Sequence, residues 1–200
     1  MSKEKVKVIL VVDASSSMYP TKQETIDAVE NLINEHRNLK DKKVRLQIYT
    51  FDSSVKNLVP LTKLKDYTSN FSSSYNPSGM TALFDGIGKA ITENINDTDF
   101  VKTSLVILTD GQENSSQEFN KASATELITK VQDKLGWDVT YLGAKAADFD
   151  SFTGSIGIKG GKAIAFDPNQ FGTRSVSLNA ATTMSMAYMS ADPLATVDKS

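Results

Sequence analysis

A short, entirely aliphatic run near the start of the chain constrains the fold more than any other feature. Residues 8–12 read Val-Ile-Leu-Val-Val, and residues 105–108 read Leu-Val-Ile-Leu. Runs rich in β-branched residues and lacking polar alternation are typical of strands buried on both faces, as in a parallel sheet covered by helices. Each run ends in a polar turn that contains an aspartate, Asp13 in the first case and Asp110 in the second. The sequence therefore predicts two buried strands that carry carboxylates at their ends.

Segments with helical periodicity alternate with these strands. The spacing of apolar residues predicts helices over residues 21–39, 82–95, 118–135, 144–152 and 173–189. Further buried strands are predicted over residues 139–142 and 163–166, and an antiparallel edge hairpin over residues 44–51 and 55–59. The predicted fold is α/β and doubly wound, with a mostly parallel central sheet, one antiparallel edge strand and helices on both faces.

Local signals place some boundaries within this pattern. Ser115 and Glu118 have the spacing of a capping box, and Gly136 stands where a helix C-cap is expected. Residues 68–79 are rich in Ser and Asn and predict an exposed loop. We see no linker or repeat, so we expect one domain over residues 1–190 and a loose tail over residues 191–200.

Composition excludes several classes of function. The net charge is −2, which gives no reason to expect a nucleic-acid partner, and the basic stretch over residues 40–45 includes Asp41 and predicts a solvated turn. The absence of cysteine excludes disulfides, thiol nucleophiles and Cys-based metal centres. No apolar stretch has the length of a signal peptide or a membrane span. We therefore expect a cytoplasmic protein with no membrane partner.

Oxygen-bearing side chains occur at three places that a doubly wound fold brings together. Asp13, Ser15 and Ser17 follow the first buried strand, and alternate residues of an extended turn can face one side. Thr81 precedes a predicted helix, and Asp110 ends the strand from residue 103. In such sheets ligands bind outside the carboxyl ends of the strands, where strand order reverses. If the two aspartate-ending strands are neighbours, all five side chains can meet in one crevice.

The donor types indicate which ligand such a crevice would hold. Carboxylates, hydroxyls and water are hard oxygen donors that suit magnesium, manganese or calcium. Neutral hydroxyls with few carboxylates favour a small six-coordinate ion, so we expect Mg²⁺, with Mn²⁺ as a close substitute and Ca²⁺ as a further option. Such a site keeps a coordination position open, and an ion with little protein charge on it would attract an acidic group from outside.

Each motif by itself has a plainer explanation. Asp and Ser are common turn residues, Thr81 could cap the helix that follows it, and Asp110 could be part of an ordinary turn after a strand. Their occurrence together, in this order and at these positions in the predicted topology, favours a shared metal site.

At these residues the chain resembles a von Willebrand factor type A (VWA) domain with a metal-ion-dependent adhesion site. The matching residues are Asp13, Ser15, Ser17, Thr81, Asp110 and Gly111. The resemblance extends over residues 5–189 and implies a Rossmann-like fold. It also implies that the three hydroxyls bind the ion, that the two carboxylates act directly or through water, and that a partner's Glu or Asp completes the coordination. Small stand-alone members of this kind occur in bacteria and phages.

These observations lead to a metal-dependent protein-binding module as the expected function. A structural or assembly component of a phage particle or bacterial complex is the alternative, and it would use the same site. A Mg²⁺-dependent phosphoryl-transfer enzyme of the haloacid-dehalogenase type is less favoured. Such enzymes need a second carboxylate two residues after the first, where this chain has Ser15, so we predict that the protein is not an enzyme.

Other side chains receive weaker predictions. Residues that could line the rim of the site and select a partner are Met18, Tyr19, Tyr75, Asn76, Gln112, Glu113 and Asn114. His36, the single histidine, lies in a polar helical stretch and is predicted to be a solvated surface residue. Neither the partner nor the oligomeric state follows from the sequence.

Overall fold

A computed structural model of the protein describes residues 3–68, 70–110, 113–144, 149–159, 162–166 and 173–191. The strands are β1 (Lys5–Asp13), β2 (Lys43–Phe51), β3 (Val55–Lys63), β4 (Lys102–Leu108), β5 (Asp138–Ala144) and β6 (Ala163–Phe166). The helices are α1 (Lys22–Arg37), α2 (Phe71–Ser74), α3 (Leu83–Thr92), α4 (Lys121–Leu135), α5 (Phe149–Ser155) and α6 (Thr173–Ser190). Short 3₁₀ turns cover Ser16–Thr21 and Leu64–Asp66.

The strands form one sheet in the order β3-β2-β1-β4-β5-β6. Every pair is parallel except β2 and β3, which form the antiparallel edge hairpin. The chain runs outward from β1 to β3, returns to the centre at β4, and then runs outward to β6. This arrangement confirms the predicted doubly wound fold. The strand order reverses between β1 and β4, so their carboxyl ends border the crevice where such folds bind ligands.

The aliphatic run in β1 serves two hydrophobic cores. Val8 and Leu10 face the cluster that includes residues of α1 and α6, whereas Ile9 and Val11 face the cluster built with α3 and α4. Successive strand residues point to opposite faces, so a strand between two helical layers must be apolar at every position. Burying each of these side chains contributes about 1.5–3 kcal/mol, which fixes β1 at the centre of the sheet.

The start of α4 differs from the prediction, which placed a capping box at Ser115 and Glu118. The helix begins at Lys121, after a reciprocal capping box between Asn120 and Ser123. The Ser123 N–H donates to the Asn120 side chain over 3.0 Å, and the Asn120 N–H donates to the Ser123 hydroxyl over 3.0 Å. Residues 117–119 do not join the helix, because the Asp85 carboxylate on α3 accepts their backbone N–H groups. At the other end the prediction is confirmed, since Gly136 is the C-cap with φ of 64°.

The segment predicted as an exposed loop over residues 68–79 is partly buried. It contains α2, and the rings of Phe71 and Tyr75 are both buried and stack with their centroids 4.9 Å apart. Residues four apart on a helical turn lie on one face, so the two rings can pack into the core together. The polar residues around these two rings led to the prediction of an exposed loop, and the burial of the aromatic pair was missed.

His36 is also placed differently from the prediction, since only 1% of it is exposed. Its Nδ1 lies 2.8 Å from the Leu32 carbonyl oxygen, and its Nε2 lies 2.9 Å from the hydroxyl oxygen of Ser185 on α6. The Ser185 oxygen lies a further 2.9 Å from that of Ser104 on β4. Burial lowers the pKa of the imidazole, against an opposing effect of the Leu32 carbonyl. The ring is covered because α6 packs along α1.

The predicted tail over residues 191–200 lies almost entirely outside the described residues. Among the helices that the structure describes, none combines the length and the apolar character needed to cross a bilayer.

Candidate metal site

Asp13 is the last residue of β1 and is completely buried. Its Oδ1 accepts the Ser15 N–H over 2.7 Å, and its Oδ2 accepts the Thr109 hydroxyl over 2.5 Å. Burial raises the pKa of this carboxyl group, the hydrogen bonds from Thr109 and Ser15 oppose that rise, and the nearby charge of Asp110 adds to it. The buried Tyr75 hydroxyl donates to the Asp13 backbone carbonyl over 2.7 Å. The carboxylate is therefore held in one orientation at the reversal point of the sheet.

The two serine hydroxyls that follow Asp13 lie beside Asp110. The Oγ atoms of Ser15 and Ser17 are 3.0 Å apart, and the Ser17 hydroxyl donates to Asp110 Oδ1 over 2.8 Å. Adjacent ligands of an octahedral Mg²⁺, each about 2.1 Å from the ion, lie about 3 Å from one another. The Ser15–Ser17 and Ser17–Asp110 oxygen separations thus already match the spacing of adjacent ligands around such an ion. Ser15 is buried whereas Ser17 is exposed, so this group opens to solvent on one side.

Hydrogen bonds join the loop that carries Thr81 to the loop after β1. The Ser78 N–H donates to the Ala14 carbonyl over 2.7 Å, and the Ser16 N–H donates to the Gly79 carbonyl over 3.1 Å. Gly79 has a φ of 74°, a conformation that disfavours residues with a Cβ. The structure therefore brings the second predicted loop against the first.

Thr81 itself is bonded to the loop that follows β4. Its N–H donates to the Asn114 side-chain oxygen over 2.8 Å, and the Asn114 N–H donates to the Thr81 carbonyl over 3.0 Å. The alternative that Thr81 caps α3 is wrong, because Ala82 is the N-cap residue and no side chain there caps the helix. Within the described part of the chain the Thr81 hydroxyl has no hydrogen-bond partner, although only 4% of the residue is exposed. This oxygen is available for a ligand.

Glu113 supports the site from inside rather than forming its rim. One carboxylate oxygen accepts the Phe84 N–H over 3.0 Å at the start of α3. The other accepts the N–H groups of Ser115 and Ser116 over 2.9 and 2.7 Å. Negative charge is favourable at a helix N-terminus, so this side chain stabilises the first turn of α3. The prediction that Glu113 selects a partner is therefore not supported by its orientation.

Asp85 was not singled out by the sequence, yet it fixes the loop before α4. Its carboxylate accepts three backbone N–H groups, from Gln117 at 2.8 Å, Glu118 at 3.0 Å and Phe119 at 2.7 Å. The residue is 9% exposed, so these bonds form largely out of water. Together Asp85 and Glu113 hold the loop after β4 against the helix that follows Thr81. In the sequence, the only sign of this role was that Asp85 stands in the first turn of a predicted helix.

The other predicted rim residues separate into three groups. Met18 and Tyr75 are buried, so the prediction that they line an open rim is wrong, because both side chains pack into the interior. Tyr19, Asn76 and Asn114 are exposed, with Tyr19 at 68%. Gln112 lies outside the described residues, as does Gly111, which belongs to the family motif and was not predicted to line the rim.

The donor set fits a small, hard divalent cation. It contains two carboxylates and three hydroxyls and no nitrogen or sulfur donor, which suits Mg²⁺ or Mn²⁺ better than softer metals. Among the described residues no cluster of three or more His, Cys, Asp or Glu side chains could hold a metal. Within that part of the chain, a metal site at this crevice therefore depends on hydroxyl oxygens as well as carboxylates.

An oxygen-rich crevice between the two central strands lies where doubly wound α/β domains generally bind ligands. Residues 7–181 match the family model of the von Willebrand factor type A domain, and the chain belongs to this family. The resemblance inferred from the sequence motifs is confirmed at the level of the family. No curated protein matches the sequence significantly.

Solved structures with similar folds include matrix and pilus proteins. One is proximal thread matrix protein 1 from the mussel byssus with a zinc-occupied MIDAS motif, with 19% identity and a TM-score of 0.65 over 90% of this chain and 46% of that one. The PilB minor pilin from Streptococcus sanguinis has 14% identity and a TM-score of 0.71 over 96% and 64%. The vWF domain of the pili tip protein Mfa5 from Porphyromonas gingivalis has 11% identity and a TM-score of 0.68 over 96% and 99%.

At these identities the similarity establishes the fold alone. The chain spans less than half of the mussel protein and less than two thirds of the pilin. The zinc in the mussel protein belongs to that protein, and it indicates that a divalent-metal site is compatible with this fold.

Proposed function

We propose that this protein is a metal-dependent protein-binding module whose Mg²⁺ site engages an acidic side chain of a partner. The proposed ligands are Asp13, Ser15, Ser17, Thr81 and Asp110. One observation carries the proposal. Three loops joined by hydrogen bonds meet at the reversal point of the sheet, and the Ser15–Ser17 and Ser17–Asp110 oxygen separations of 3.0 and 2.8 Å match those of adjacent metal ligands.

Each residue has a distinct part in this proposal. The hydroxyls of Ser15, Ser17 and Thr81 act as direct ligands. Both oxygens of Asp13 already accept protein hydrogen bonds, so this carboxylate suits a role in holding coordinated water through its remaining lone pairs. A bound ion supplies a positive centre that is only partly neutralised. A carboxylate from a partner then completes both its charge and its coordination.

The surroundings of Asp13 favour binding over phosphoryl transfer. An acid or base two residues after Asp13 would have to be Ser15, whose hydroxyl cannot fill that role near neutral pH. The only histidine is buried between α1 and α6, where it contacts Ser185. A phosphatase assay with Mg²⁺ tests this directly. Metal-dependent turnover that disappears in Asp13→Asn would overturn the binding proposal.

Calorimetry tests the metal assignment. We expect Mg²⁺ or Mn²⁺ to bind the wild type and to bind Thr81→Val and Asp13→Ala at least about tenfold more weakly, which is about 1.4 kcal/mol. Thr81→Val keeps the shape of the side chain and removes only the hydroxyl. Ser16→Ala is the matched control, because Ser16 lies between two proposed ligands. Its hydroxyl bond to the Gly79 carbonyl is lost, but its backbone N–H still donates to the same carbonyl. Equal affinity in all four proteins would refute the site.

A partner search tests the second half of the proposal. We expect the wild type to retain a partner in the presence of Mg²⁺ and to release it when a chelator is added. The Thr81→Val variant should not retain that partner. The same retention with and without chelator would show that the metal has no part in binding. Replacing acidic residues of the captured partner one at a time would then identify the carboxylate that it supplies.

A further inference from the structure

A basic cleft lies at the amino ends of β1 and β2, at the end of the sheet opposite the candidate metal site. It has a volume of about 670 Å³ and is bordered by the first residues of β1 and β2, the end of α1 and the end of β3. Of the twelve described residues that line it, eight are Lys or Arg and none is Asp or Glu. The whole chain has 22 Lys and Arg residues and a net charge of −2, so more than a third of its cations gather around this one cleft.

Strand register places several of these cations directly beside one another. Lys5 of β1 pairs with Lys43 of β2, and Arg45 of β2 pairs with Lys63 of β3. Like charges at directly opposed positions destabilise a sheet. The sequence had predicted a solvated turn around residues 40–45. In the structure Lys43 and Arg45 instead belong to β2, and this segment forms one wall of a cleft to which β3 also contributes cations.

Only some of the charge is neutralised within the protein. The Lys5 ammonium forms an ion pair with Asp99 at 3.0 Å, and the Lys42 ammonium forms one with Glu4 at 2.6 Å. The side chains of four further cations have neither an ion pair nor a hydrogen bond to any residue that the structure describes: Lys43, Arg45, Lys63 and Lys65. Arg45 is partly buried, so water screens its charge incompletely. The cleft therefore has a surplus of positive charge that an external anion would neutralise.

We propose that this cleft binds a small ligand that carries at least two closely spaced phosphate groups. Its volume lies within the range of small-ligand sites, roughly 300–1,000 Å³. Phosphate groups deliver more charge in a small space than carboxylates do, and both Lys and Arg are suited to them. No Phe, Tyr or Trp is among the described lining residues, so the cleft lacks the large aromatic side chains on which nucleic-acid bases commonly stack. This proposal does not depend on the metal site.

Calorimetry with inorganic tripolyphosphate as the probe tests the proposal. The full chain is freed of metal with a chelating resin, so that the site around Asp13 plays no part. We expect tripolyphosphate to bind more tightly than orthophosphate, and its affinity to fall as salt is raised. Arg45→Gln/Lys63→Gln should lose at least about tenfold in affinity, or about 1.4 kcal/mol. The matched control Lys130→Gln/Lys134→Gln removes the same charge from the exposed face of α4 and should bind within twofold of the wild type.

Folding of the cleft variant is checked in the same series. Removing the opposed Arg45–Lys63 pair relieves repulsion, so its melting temperature should equal or exceed that of the wild type. Three outcomes would overturn the proposal: no binding of tripolyphosphate by the wild type, an equal loss in the control, or tighter binding of an oligonucleotide or an acidic peptide than of tripolyphosphate. The last result would identify the cleft as a docking surface for a macromolecule.

Discussion

The buried imidazole of His36 makes the stability of this protein depend on pH in a calculable way. Burial lowers its pKa, so the folded state keeps the ring neutral at pH values where the unfolded chain, with a pKa of about 6.5, becomes protonated. The unfolded state then binds more protons, and stability must fall as the pH falls below that value. The contribution of His36 is complete well above pH 6.5 and is lost progressively on acidification.

The size of this effect follows from the difference of one proton. If the folded ring stays neutral from pH 7.5 to pH 5.5, the free energy of unfolding decreases by about 1.4 kcal/mol over those two units. Any protonation of the folded state within that range makes the decrease smaller. A typical domain has about 5–15 kcal/mol of stability, so the change is well within measurement.

Urea unfolding at pH 7.5, 6.5 and 5.5 measures this change, with His36→Gln as the reference protein. The variant lacks the only histidine, while its carboxylates are those of the wild type. The difference between the two pH profiles therefore isolates His36. Nuclear magnetic resonance of the single imidazole gives its pKa in the folded state independently. Identical pH profiles for the two proteins, or an imidazole that titrates near 6.5 when folded, would refute the reasoning.

Four further substitutions test the packing and the site. Gly88→Ala would place its Cβ 2.3 Å from a carbon of the Phe119 ring and should cost about 1–3 kcal/mol in urea unfolding. In Gly154→Ala the new Cβ meets nothing within 4 Å, so this variant should be as stable as the wild type or more stable by up to about 1 kcal/mol. A Gly154→Ala variant less stable than Gly88→Ala would contradict the packing. Asp85→Ala should lower the unfolding free energy by about 2–4 kcal/mol, because three backbone N–H groups lose their acceptor, and an unchanged midpoint would contradict this. Thr109→Val should weaken Mg²⁺ binding about tenfold in calorimetry by removing a hydrogen bond to the buried carboxylate, and unchanged affinity would show that this bond does not matter.

The sequence was sufficient for features that depend on local pattern. The aliphatic runs of β1 and β4 show their burial directly, because a strand between two helical layers needs apolar residues at every position. The closeness of Asp13 to Asp110 then followed from the general rule that doubly wound sheets bind ligands where their strand order reverses. The roles of the five proposed metal ligands, the domain limits and the cytoplasmic location stay predictions.

Features that depend on distant parts of the chain could not be predicted. His36 is buried because α6 brings Ser185 to it, and those residues are separated by 149 positions. The inward orientation of Glu113 depends on the free N–H groups at the start of α3, and no local pattern shows where they will lie. The basic cleft combines segments from β1 to β3, each of which resembles an ordinary solvated surface by itself.

The central strand β1 also sets a distance. Lys5 and Asp13 are its first and last residues, and a rise of about 3.3 Å per residue separates their Cα atoms by roughly 26 Å. Ligands at the two ends of this strand could not touch each other, so a ternary complex would form without steric competition. Any influence of one ligand on the affinity of the other would have to pass through the sheet, and thermodynamics requires that it be equal in both directions.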